Sequence, residues 1–428
     1  MLYTSRPTVG RLLRRLPVPS FSRDVWLVSV TMAMLGGAYL GMMQLVKVLY
    51  LLRLGQGPEF IGILFATGSL GFAACSLVGG TLGGRFGPRR VMILGGIICA
   101  AGMGILPLAD SVPRSLLRFW VLLVQVVSSG GWSLVVVNQV AALMTFTTAE
   151  NRRRAYAMKE AFLGLGTFLG ALIGGLLPGA FASLLHLTTD QPVPYRHTLW
   201  VAAVVAAATL VPLMLMSEVP PAAPAQRGQA FRPPLLPFAV LVGCGFFNNA
   251  AVASQKSFVS AYMDTVLRLP PSSIGVITSM GQFLAIVGAL SSARLARLRG
   301  SGHAMMIASS GLALSLLLLA SVRHPVATAV GTIGALSLAA VWVPAFQVLQ
   351  MEMAAPEWRS RMAGATSMAL SLGFGTLSFS GGYIVASLGY PWVFLVGALS
   401  AGLSAAVIGS LPRRAARERP AECSRPTA

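Results

Sequence analysis

Long apolar runs separated by short basic loops set the frame of this chain. Residues 201–216, 312–322 and 330–344 carry no charged side chain, and about 20 apolar residues are enough for a helix to cross a bilayer. Read this way, the chain predicts twelve spans, at about 24–52, 59–82, 90–109, 116–146, 155–178, 197–216, 237–265, 272–293, 303–321, 326–350, 362–387 and 390–411. Backbone groups in lipid must be satisfied inside the segment, and these spans are far too long for barrel strands. The expected fold is an all-α polytopic membrane bundle.

Between the sixth and seventh spans lies a Pro/Ala-rich stretch, SEVPPAAPAQRGQAFRPPLLP, with too little apolar character to bury a core. It divides the chain into an arm (1–23), a six-helix half (24–216), a linker (217–236), a second six-helix half (237–411) and a basic tail (412–428). The halves echo each other. LRL at 52–54, followed by IG at 61–62, returns as LRL at 267–269 with IG at 274–275. AENRRRA from Ala149 is matched by APEWRSRMA from Ala355, and GLGT at 164–167 by GFGT at 373–376, each of the latter pair followed by a double glycine. Three matches in one order predict a duplication. In membrane bundles such repeats place a solute site near the midplane between the halves.

Charge changes this picture only in its orientation. Of the residues, 10% are charged, against about 25% in a soluble domain, and the net charge of +20 invites a nucleic-acid reading. The arginines are instead divided among short loops, and most alternate onto the side that carries both termini. This is the positive-inside pattern, so both termini are expected in the cytoplasm and the protein in the cell membrane. Contact with anionic lipid follows, whereas nucleic-acid binding does not. The basic start has no apolar core with a small-residue cleavage site, so a cleaved signal peptide is not expected. The four cysteines have neither disulfide nor metal-ligand spacing.

The loop after the second span reads GTLGGRFGPRR, residues 80–90. Gly80, Leu82, Gly83, Arg85, Gly87, Arg89 and Arg90 make it similar to the loop signature G-x-L-G-D-R-x-G-R-R of the major facilitator superfamily. The resemblance implies alternating access, with this loop latching the two halves, and makes Gly80, Gly83, Arg85, Gly87, Arg89 and Arg90 gating candidates. Two departures stand out: Gly84 replaces the family's aspartate, and Val126 stands where a fourth-span arginine is usual. Both weaken the case for conventional proton antiport. GTFLGALIGG at 166–175 is similar to the fifth-span motif of drug and metabolite antiporters, with Ala171 in place of proline. That implies export, although the same spacing also serves helix packing.

Ionisable groups inside a span mark function by default. There are only three lysines. Lys47 on span one and Lys256 on span seven are expected to face one central cavity from opposite halves and hold an anion, with snorkelling as the bland alternative for Lys47. A compact, mobile ammonium suits a labile contact. Asp264 lies eight residues from Lys256, about 12 Å along a helix, too far to pair with it. Polar stripes extend the candidate binding set to Gln44, Asn249, Gln255, Gln125, Trp132, Trp342 and Gln347. Glu160 joins the gating set as the acid to test for protonation, on a different helix face from Lys159. The other acids and all four histidines lie in loops, tails or span ends, so a cavity with two ammonium groups favours anions or amphipathic carboxylates. No catalytic residue, metal site or cofactor is expected. The expected function is a monomeric secondary transporter of a small organic, anionic solute, working with or without a coupling ion and favouring export. Its alternatives are an exporter of hydrophobic or cationic drugs, and a non-transporting assembly factor or sensor.

Overall fold

The computed structural model describes residues 21–148, 150–219, 235–353 and 359–410. Most of the arm, the linker and the tail, with the repeat segments at 149 and 354–358, lie outside them. Twelve helices are long and apolar enough to cross a membrane: α1 Arg23–Arg53, α2 Pro58–Phe86, α3 Pro88–Ser111, α4 Arg114–Phe146, α5 Arg154–Leu184, α6 Val193–Leu215, α7 Phe238–Thr265, α8 Pro271–Arg299, α9 Ser301–Ser321, α10 Pro325–Met353, α11 Gly364–Leu388 and α12 Tyr390–Gly409. No strand occurs among the described residues. The chain is a multi-pass membrane protein.

Several helices outrun the apolar runs that announce them. α8 continues through Arg297 and Arg299, and α5 passes Pro178 to reach Leu184. Hydropathy ends where the hydrocarbon ends, whereas backbone hydrogen bonding continues as long as the sequence permits helix. Pro178 removes one N–H without stopping its helix, an outcome common in membrane spans because neighbouring groups re-satisfy the backbone.

Contacts repeat between the halves. α1 packs on α5 as α7 packs on α11; α2 and α3 pack on α4 as α8 and α9 pack on α10; α3 meets α6 as α9 meets α12. The α2–α3 and α8–α9 turns both pivot on a glycine at φ +87°, Gly87 and Gly300, a conformation that side chains resist. Two seams, α2 against α11 and α5 against α8, join the halves. Each seam is a glycine crossing. A Cβ on Gly62 would overlap the backbone of Ser378 and Gly382, and one on Gly175 would overlap Gly275. The IG and double-glycine repeats therefore pair crosswise, each from one half with its counterpart from the other. Small residues allow this approach because dispersion and backbone contact, rather than hydrophobicity, drive helix association in lipid.

In α1, residues Gly37–Met43 form a π-helical stretch. The fifth-span glycines account for its position, since Gly166 and Gly170 press on the α1 backbone at Ala33 and Gly37. This motif is thus a packing seam, and only its last glycine reaches the other half.

Candidate functional site

Two cavities open between the helices. The smaller, of about 500 Å³, lies between the halves, with Gln44, Tyr156, Glu160 and Thr167 on one wall and Lys256, Gln282 and Gln347 on the other. The larger, of about 1130 Å³, is lined only by α7–α11 and so lies within the C-terminal half. Both share Gln255, Lys256, Gln282, Ala340, Pro344 and Gln347. Their walls reach toward the end of the bundle that bears the termini, at Glu160 near the start of α5 and Glu352 at the end of α10.

Lys256 is the centre of this arrangement. Its neighbours from Ala251 to Gln255 and from Ser257 to Val259 are buried, yet its own side chain is exposed to the cavities. Among the described residues it has no hydrogen-bond or ionic partner. Amide side chains share the cavity walls with it, Gln255, Gln282 and Gln347 in both cavities. Asn249 donates to the Leu370 carbonyl at 2.6 Å and lines the larger cavity, while Asn248 accepts from Ser309 at 3.2 Å. Trp342 forms part of the same wall, stacked on Phe346 with ring centroids 4.5 Å apart; its indole N–H has no acceptor among the described residues.

Lys47 departs from expectation. It is 1% exposed, donates to Gln125 Oε1 at 3.0 Å, and lies 4.7 Å from the Phe65 ring centroid. It lines neither cavity and does not snorkel. Gln125 and Trp132 are likewise buried, Trp132 stacked on Tyr39 at 5.4 Å. Polar spacing along a helix could not separate a wet wall from a hydrogen-bonded interior. Of the N-terminal candidates, Gln44 and Glu160 alone face a cavity. Lys159 and Glu160 also differ from their expected separation. The ammonium of buried Lys159 meets the Glu160 carboxylate, because a long side chain can curl across adjacent positions.

Sequence reasoning passed over Gln282 and Pro344, which line both cavities. A glutamine in an apolar span was the available signal for the first. Pro344 lies inside α10 and has no N–H to offer the carbonyl of Ala340, four residues earlier, itself a cavity-lining residue.

The opposite end of the bundle is closed. Arg53, ending α1, forms a bidentate pair with Asp264 near the end of α7, at 2.6 and 2.7 Å, and donates to the Thr189 carbonyl. The fork-to-fork geometry ties the two halves beside the glycine crossings. Arg196 and Asp110 add a pair within the N-terminal half at 2.6 Å.

The loop motif acts within one half among the described residues. Gly83 leaves room for Asn138, whose amide donates to the Gly79 carbonyl and so locks α2 to α4. Arg89 donates to the Met214 carbonyl at 2.6 Å, capping the end of α6, where a cation also complements the helix dipole. Arg90 reaches Glu218 at 3.5 Å. Gly87 abuts Val219, Gly80 approaches only Val137, and Arg85 lies over Phe86.

Comparison with known proteins agrees with this architecture. The Major Facilitator Superfamily family model matches residues 24–374 and 241–425. The chain belongs to the major facilitator superfamily, whose members are transporters rather than enzymes. It is 25% identical over 134 residues to multidrug resistance protein MdtH of Yersinia enterocolitica, covering 31% of this chain and 32% of that protein. It is 35% identical over 91 residues to monocarboxylate transporter 13 of Bos taurus, covering 21% and 20%. The chain thus matches about a third and a fifth of these relatives' lengths. Its fold resembles a crystal structure of a variant of the nucleoside transporter NupG, with TM-score 0.71 and 15% identity over 90% of this chain and 98% of that one.

Proposed function

We propose that the protein is a secondary transporter that moves a small organic anion across the cell membrane by alternating access, with both termini cytoplasmic and export as its working direction. The observation that carries this reading is Lys256, an unpaired ammonium open to both cavities deep along α7. The one carboxylate that lines the smaller cavity with it, Glu160, is taken up by Lys159, so an ammonium without an ionic partner among the described residues gains most from an anionic ligand. The cavities toward the termini, and the ion pair and glycine crossings at the other end, match a carrier that opens one side at a time. The relative named as a monocarboxylate transporter supports an anionic solute, and the multidrug resistance relative supports export.

The test is a thermal-shift screen of the purified protein with organic anions beside lipophilic cations, run in parallel on Lys256→Gln. Binding raises stability in proportion to the logarithm of ligand concentration over Kd. Anions are expected to stabilise the parent, and the variant to bind them about 10–100-fold more weakly, the worth of one charged hydrogen bond. Equal stabilisation of both proteins by lipophilic cations would instead make the chain a drug exporter.

A further inference from the structure

The larger cavity reaches past the interface between the halves. It extends to Leu312 on α9, a helix that contributes nothing to the smaller cavity, past Val252, Ala335, Ala339 and the shared Leu336, with Asn248 and Asn249 as the polar part of that lining. This apolar recess and the inter-half cavity meet at Lys256. The larger cavity as a whole, recess and shared part together, is about 1130 Å³, a little above the ~300–1,000 Å³ usual for a small-molecule site. Its other charged lining group, Glu352, stands at the end of α10, the end of the bundle that bears the termini. An anionic head is therefore drawn to Lys256 and turned away from the mouth.

From this arrangement, and resting on the reading of Lys256 as an anion site, we propose that the substrate is an amphipathic organic anion: its carboxylate is held at Lys256 and its apolar body lies in the recess inside the C-terminal half. The recess is a specificity site for hydrophobic length. Small hydrophilic anions reach Lys256 without filling it and bind weakly. A body of several carbons displaces water from the walls formed by Val252, Leu312, Leu336 and Ala339.

The experiment is a binding series on the purified full chain, with acetate, butyrate, hexanoate and octanoate beside the matching primary alcohols. Affinity is expected to rise about fourfold for each methylene buried in both series, with each acid tighter than its matching alcohol, and that advantage of the acids is expected to vanish in Lys256→Gln. Ala339→Phe, at a half-buried position lining only the larger cavity, is expected to flatten the series, weakening octanoate far more than acetate. The parent series stands by itself if that variant misfolds. A flat series that still depends on Lys256 would overturn the recess and keep the anion reading; so would an Ala339→Phe protein that folds and retains the full series. Acids no tighter than the matching alcohols, with no response to Lys256→Gln, would overturn the anion reading, and a flat series in both would overturn the recess as well.

Discussion

The two halves of this protein use one helical plan and treat the same chemistry in opposite ways. Lys47 and Lys256 stand 209 positions apart, and Trp132 and Trp342 stand 210 apart, within the period of the sequence repeat. In the N-terminal half the lysine is fully enclosed and bonded to Gln125, and the tryptophan lies against Tyr39. In the C-terminal half the lysine is open to two cavities, and the tryptophan belongs to a cavity wall. The position one period after Gln125 is Ala335. Where one half has an amide that ties down the ammonium, the other has a methyl group that leaves space. The same helical plan is closed around Lys47 and open around Lys256, while the two tryptophans are both buried, Trp342 at 1% exposure and Trp132 at 8%.

This contrast can be broken from either side. The largest effect is expected from Gln125→Leu, which leaves the Lys47 ammonium buried with only the Phe65 ring as a partner. Thermal melting should register a loss of about 2–3 kcal/mol, since a buried cation without its acceptor bears its own desolvation. Lys256→Gln is the mirror case. Its melting should stay within about 0.5 kcal/mol of the parent, as expected of a side chain with no hydrogen-bond or ionic partner among the described residues. A large fall in stability there would show that the two lysines are alike after all.

Asp264→Asn tests the closed end against the open one. Removing the carboxylate charge leaves Arg53 a weaker partner and should cost about 1–2 kcal/mol of closure. A cysteine introduced by Gln44→Cys in an otherwise cysteine-free chain should then be labelled about fivefold to thirtyfold faster from the side away from the termini. Unchanged labelling would leave the glycine crossings to hold that end by themselves. The smallest effect belongs to Ala335→Gln, which copies the amide of the N-terminal half into the C-terminal one. A new hydrogen bond of about 1 kcal/mol competing for Lys256 should weaken organic-anion binding roughly fivefold.

Much of the architecture was legible in the chain before any coordinates. Twelve spans, their helical nature, the duplication and the family resemblance all follow from hydropathy, loop arginines and repeated glycines. The reason is physical: lipid imposes one length and one backbone solution on every span, so the pattern is written locally. Lys256, Gln255, Asn249, Trp342 and Gln347 were likewise visible as polar groups on apolar helices, and the structure brings them to the cavities. What sequence could not decide was which polar face meets water. Lys47, Gln125 and Trp132 carry the same signal as their counterparts but turn into a packed interior. Helix spacing ruled out Asp264 as a partner for Lys256, but could not show that α1 brings Arg53 to it across 211 positions. Composition and spacing determine what a helix can offer; only the helices packed against it determine whether that offer is taken up by a neighbour or left open to a ligand.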